Sequence, residues 1–228
     1  LINSLLDAGV GVFTWDKQGI GESSGNWLNQ SMSDRATEAL AALARVRKEP
    51  GVAVHKVGFL GFSQGGWVIP RAASEGDPDF SVIIGGAVNW RRQGIYYTRL
   101  RLADEGLTPA EIDVRVRAQY RQNDKVFGHL KAQHAPHAFP EMDRDHFNFV
   151  LKNYNEDVTA ALKTMKGPVL AVWGALNPLI LRVGAMILLY NGYTHSFAPN
   201  SELIGSSSSK SVCSAHYHSI SSFLIMMC

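Results

Sequence analysis

Short apolar runs rich in β-branched residues alternate with stretches of helical spacing, and this alternation restricts the fold of the 228-residue chain more than any other feature. Val10, Val12, Phe13 and Trp15 form one run, which ends at Asp16; Val54 to Leu60 and Val82 to Val88 form two more. Between the first pair, Ala36, Leu40, Leu43 and Val46 fall at helical spacing behind Ser33, the expected N-cap, until Pro50 and Gly51 end the pattern. Between the second pair the spacing predicts a helix from about Gln64 to Glu75. Strands joined by helical crossovers of this length run parallel, and a parallel sheet needs helices on both faces. Val169 to Trp173 adds a fourth strand and Met186 to Tyr190 a fifth. The expected fold class is therefore α/β, a doubly wound and mostly parallel sheet, on a chain long enough for one large core.

From Trp90 to Lys166 the chain is charged and bears histidines, without strand runs. Thr108, Pro109 and Glu111 make a capping box with proline at the first helical position, and Ile112, Val116 and Tyr120 give that helix an apolar stripe. Residues 91–166 thus read as an inserted helical cap over one end of the sheet, with 1–90 and 167–204 as the core. The remainder, 205–228, opens with the serine run Ser206 to Ser209 and shows no period, so no element is expected there.

Composition narrows the function classes. Lys plus Arg number 22 against 20 Asp plus Glu, a net charge of +2 that is too small to attract a polyanion over a broad surface, so nucleic acid is not an expected partner. The apolar stretch from Val169 to Tyr190 is broken by Asn177, Pro178 and Arg182, which argues against a membrane span. Cys213 and Cys228 provide neither a disulfide framework nor a metal quartet, and no secretory signal opens the chain, so a cytoplasmic location is expected.

The chemistry-bearing motif is GFSQG at Gly61 to Gly65, placed where a strand ends and a helix begins. So sharp a turn holds the serine in a strained backbone conformation and needs small residues, Gly61 and Gly65, on both sides. It exposes the Ser63 hydroxyl at a helix N-terminus and leaves the backbone N–H of Gln64 to bond a developing oxyanion. Together with the segments VGVFTWDKQGIGESSGNW and GPVLAVWGALNP, the surrounding VGFLGFSQGGWVIPRAA resembles the α/β-hydrolase superfamily, most closely its dienelactone-hydrolase-like and serine-peptidase-like members, over Leu1 to Pro178. The resemblance implies hydrolysis of a carboxylic ester or peptide through an acyl-Ser63 intermediate, with no metal or organic cofactor. It also implies strands ahead of Leu1, including the loop that supplies the second oxyanion donor, and so a chain that starts inside the fold and ends atypically.

By the same resemblance Asn177 occupies the place of the triad aspartate, and His195, in GYTHSF, is the candidate base; His216 and His218 are weaker ones. The family's other acid position follows the third strand, where this chain has Asn89 and Trp90. Asparagine supplies no charge to an imidazolium, and the corresponding change in a serine protease lowers kcat about 10⁴-fold. Reduced turnover is therefore expected. The alternative reading is a hydrolase-like chain that binds a ligand or partner in the old pocket without turnover.

Other groupings fit blander roles. Gly19, Gly21 and Gly25 follow a strand, but Ser24 stands where a dinucleotide loop needs glycine, so a structural turn is expected. His129, His134, His137 and His146, with Asp143 and Asp145, lack the spacing of a metal site and read as solvated loop residues. Arg91, Arg92, Arg99 and Arg101, interleaved with Tyr96 and Tyr97, read as a solvated helical face that is also able to touch an acidic substrate. Trp67 and Trp90 read as core aromatics near the pocket mouth.

Overall fold

The computed structural model describes residues 1–49, 56–128 and 142–173, and the backbone of short strands at 175–177, 180–182 and 224–227. It is a mixed α/β structure centred on three parallel strands, β2 (Val57–Phe62), β3 (Ser81–Ile84) and β4 (Val169–Val172). Phe59 pairs with Ser81 and Phe62 with Ile84, while Ser81 and Ile84 pair in turn with Val169 and Val172. β1 (Gly11–Thr14) runs in the same direction but does not pair with β2. Between them lies β7 (Leu224–Met227), antiparallel to both, giving the order β1-β7-β2-β3-β4. The sheet is thus parallel only in part, and four residues of the tail expected to carry no element form a strand. A strand in the middle of a sheet is satisfied by backbone pairing on both edges, which requires no periodic signal.

Beyond β4, β5 (Ala175–Asn177) and β6 (Ile180–Arg182) form a separate antiparallel pair. The expected fifth strand, Met186 to Tyr190, lies outside the described residues.

α1 (Ile2–Asp7) lies at the start of the chain and α2 (Met32–Val46) crosses between β1 and β2. The N-cap of α2 is Ser31, not Ser33. Ser31 Oγ accepts the Asp34 amide at 3.1 Å, and the Asp34 carboxylate accepts the Ser31 amide at 2.7 Å and the Ser31 hydroxyl at 2.8 Å, two bonds that hold that carboxyl below its usual pKa. The reciprocal box outweighs a lone serine, so the helix begins earlier than the apolar spacing indicates. Met32, Ala36, Ala39, Leu43 and Val46 are buried against α3 (Gly65–Glu75), itself buried along Trp67, Val68, Ile69, Ala72 and Ala73. The other sheet face carries a smaller cluster in which Leu5 of α1 packs with Leu60, Val10, Phe62 and Val82.

The insertion between β3 and β4 contains α4 (Trp90–Asp104), α5 (Pro109–Phe127), α6 (Arg144–Asn153) and α7 (Thr159–Thr164). The Thr108–Glu111 capping box forms as the sequence predicts, and Ile112 and Val116 of its stripe bury against Leu102, with Tyr120 alongside. The later part of the insertion joins the main core through Phe149, Val158 and Met165. Asn153, 1% exposed, ties it there: its Oδ1 accepts the Met32 amide at 2.9 Å, and its Nδ2 donates to the carbonyls of Phe149 (2.9 Å) and Gln30 (3.2 Å). Asn153→Ala strands buried partners at the start of α2, so a loss of about 2 to 3 kcal/mol is expected, read as a lowered urea midpoint at unchanged slope.

Candidate functional site

Ser63 has φ 48°, the only positive φ outside glycine among the described residues. It sits between the end of β2 and the first turn of α3, and its side chain is exposed. Its amide donates to the Ile84 carbonyl at 3.0 Å, carrying the β2–β3 pairing one residue past the strand, and its carbonyl accepts the Gly66 amide at 3.0 Å. Chain direction then reverses within two residues, which forces the left-handed conformation on a residue that disfavours it.

Gln64 is the helical N-cap residue, so its N–H belongs to the donors that a helix start leaves without an intrahelical acceptor. Gly61 and Gly65 are both buried, and a close backbone approach is found at the next residue, Gly66. A Cβ on Gly66 would meet the Ala87 nitrogen at 2.5 Å and the Gly86 Cα at 2.7 Å, and one on Gly86 would meet Gly66 Cα at 2.8 Å. The sequence signal for this contact is the pair of adjacent glycines at 65–66 and 85–86, of which the motif alone singles out one.

Because β1, β2, β3 and β4 point the same way, the loops after them share one edge of the sheet, where open α/β sheets hold their ligands. A cavity of about 490 Å³ is lined by the loop after β3, Gly85 to Asn89, with Arg92, Gln93, Tyr96, Tyr97 and Trp173; Gly86 and Ala87 of its wall are the residues that approach Gly66. Trp173 Nε1 donates to the Gly86 carbonyl at 2.6 Å and holds that wall. Three arginines of α4 are committed elsewhere, Arg91 to Asp124, Arg99 to Asp113 and Arg101 to Glu105. Arg92 has no ion-pair partner within 4.0 Å among the described residues, so of this set it alone faces the cavity uncommitted.

A carboxylate that sequence reasoning missed stands at the position after β3. Asn89 caps α4 by accepting the Arg92 amide at 2.9 Å, and its Nδ2 donates to Asp157 at 2.9 Å. Residues 156–158 lie along 88–90, the Trp90 amide bonding to the Glu156 carbonyl and the Val158 amide to the Val88 carbonyl, both at 3.0 Å. Bonds from Thr159, then from Asn89, with the charge of Arg92 last, hold the Asp157 carboxyl down at about 2. No local pattern signals a contact between residues 68 apart.

Of the remaining site residues expected from sequence, Asn177 ends β5, where its backbone pairs with Ile180, and His195 lies outside the described residues, as do His129, His134, His137, His216 and His218. His146 is the one described histidine. Its Nδ1 lies 2.6 Å from Asp143, the N-cap of α6, and among the described residues no cluster of metal-ligating side chains forms. Trp67 and Trp90 stack on one another at 4.9 Å between centroids. Gly19, Gly21 and Gly25 all have positive φ, and the Gly19 amide is taken by the carbonyls of Ser23 and Ser24, closing the loop on itself.

Next to this loop Lys17, 8% exposed, sets its ammonium 4.0 Å from the centroid of the Trp27 ring. Burial, then the positive charge of Arg35, lowers its pKa from 10.5 to about 8.

Two outcomes follow. Ser63→Gly relieves the left-handed strain and is expected to stabilise the fold by about 0.5 to 1 kcal/mol, whereas Ser63→Val, β-branched at positive φ, lowers the urea midpoint. The folded chain releases the Lys17 proton near 8 while the unfolded chain keeps it to about 10.5, so the unfolded state binds more protons over that window and stability gains from this group as pH rises through it. Denaturation curves across the window are expected to show a more positive slope of stability against pH in the parent chain than in Lys17→Met. In comparisons with protein-family models, curated proteins and solved structures, none matches the chain.

Proposed function

We propose that the chain is a serine hydrolase acting on a carboxylic ester or peptide. The observation that carries this reading is the exposed Ser63 in a left-handed turn between a parallel strand and a helix start, at the carboxyl edge of the sheet. Strain in such a turn is retained where the geometry it creates is used.

In the proposed reaction the Ser63 oxygen attacks the carbonyl carbon while its proton passes to His195, the base supplied by the α/β-hydrolase resemblance. The carbonyl oxygen, now negative, is met by the backbone N–H of Gln64 and the positive end of α3. The leaving alkoxide or amine takes the proton from His195 as the tetrahedral carbon collapses to an acyl-Ser63 ester. Water then repeats the sequence, releasing the acid and restoring the hydroxyl. Asn177, in the family's acid position, is unable to balance an imidazolium. Asp157, ionised and placed beside the loop after β3, is a carboxylate for that task. The cavity lined by Tyr96, Tyr97 and Arg92 receives the substrate's side chain.

A fluorophosphonate probe reacts with an activated serine hydroxyl and tests this directly. The full chain is expected to gain one adduct, mapped to Ser63 by mass spectrometry and absent from Ser63→Ala. A cooperatively folded chain that stays unlabelled sinks the proposal.

A further inference from the structure

The bulkiest of the side chains buried almost completely is a charged one. Arg35, on the first turn of α2, is 1% exposed. Its Nη1 donates to Oε1 of Gln64, while Nε and Nη2 are buried and have no acceptor among the described residues. Its guanidinium carbon lies 5.2 Å from the centroid of the Trp27 ring and 5.7 Å from that of Phe149. No carboxylate lies within ion-pairing distance among the described residues. Glu38, one turn along, accepts instead from Gln30 at 2.5 Å and from Gln18 at 3.4 Å. Burial lowers the Arg35 pKa to about 10 against the opposing negative charge of Glu38, so the guanidinium remains charged at neutral pH.

Charge buried without a counter-ion is costly, and an apolar residue of similar volume commonly replaces it with no loss of stability. Packing therefore does not account for an arginine here. What distinguishes the position is its one strong acceptor, the side chain of the residue that follows Ser63. A rigid guanidinium bonded to the Gln64 side chain ties it to α2 and thereby restrains the Ser63–Gln64 peptide, whose N–H is the oxyanion donor of the proposed reaction. In a low-dielectric surrounding, positive charge held near developing negative charge also counts for far more than it does in water.

We propose that Arg35 is a positioning residue of the nucleophile turn: through Gln64 it orients the oxyanion-binding amide and places behind it a buried positive charge that makes no ion pair among the described residues. The proposal rests on the hydrolase reading above. It separates from a bracing role by the sign of two effects. A brace, when removed, lowers stability and leaves the reactivity of the folded molecules alone; a positioning charge, when removed, leaves stability unchanged or raised and lowers reactivity.

The experiment compares the full chain with Arg35→Met, Gln64→Met and the double variant, measuring the urea midpoint and the second-order rate of fluorophosphonate labelling at Ser63. Arg35→Met is expected to label at least about tenfold more slowly with its midpoint unchanged or higher, below the 10² to 10³ that loss of a direct oxyanion donor costs. Gln64→Met keeps the backbone N–H but loses the acceptor, and is expected to slow labelling in the same direction. The double variant is expected to be within about twofold of the slower single variant, since the two residues act as one unit. Labelling of folded Arg35→Met within about twofold of the parent overturns the proposal, as does a fall matched by the loss of folded protein; should Arg35→Met not fold, Gln64→Met labelling at the parent rate does so. A parent chain that fails to label removes the hydrolase reading itself and this proposal with it.

Discussion

The bond from the Ser63 amide to the Ile84 carbonyl, at 3.0 Å, is the constraint on which the rest of the site depends. It prolongs the pairing of β2 and β3 by one residue and pins the chain to the sheet at the point where it must turn back into α3. The helix can lie over the sheet only if the pinned residue takes a left-handed backbone and if nothing but hydrogen separates Gly66 from Gly86. Exposure of the Ser63 side chain, the free donor at Gln64 and the burial of α3 along Trp67, Val68 and Ile69 are all consequences of that geometry.

The fold concentrates its costs around the same turn. Ser63 carries backbone strain, Arg35 is buried without an ion-paired acid among the described residues, and burial lowers the Lys17 pKa where it lies, like Arg35, over the Trp27 ring. These features are compensated at a distance by the apolar core and by links that join the insertion to the residues before α2 and to its first residue. Asn153 bridges to Gln30 and Met32, Lys152 donates to the Asn29 carbonyl, and Asn26 donates to Asp145 at 2.8 Å. Such long-range bonds make the helices of the insertion part of the support for Trp27 and Arg35, and hence for the turn that those residues back. Among the described residues no helix is long and apolar enough to cross a membrane.

Much of the scaffold was legible because its signals are local. A run of β-branched residues, a box of Thr108 and Glu111, and a serine between glycines at the end of a strand each constrain only their own neighbourhood, and β2, β4, α5 and the turn form where those signals stand, while β3 ends at Ile84, before the positive φ of Gly85 and short of the expected Val88. The first crossover helix was displaced by two residues because two serines compete as caps. Only the geometry of the Ser31 and Asp34 pair decides between them. Asn177 and His195 came from resemblance alone; the first ends a hairpin strand and the second lies outside the described residues.

What the sequence by itself determined, then, is the alternation of strand and helix and the sharp turn at position 63, since both follow from residue type and short spacing. Only the tertiary structure decided that Leu224–Met227 lies between β1 and β2, that Asp157 meets Asn89, that Gly66 touches Gly86, and that Arg35 turns inward to Gln64. The physical reason is common to all four: backbone pairing, van der Waals approach and the burial of a charge depend on which surfaces the completed fold brings together, and no residue announces a neighbour that lies many residues away.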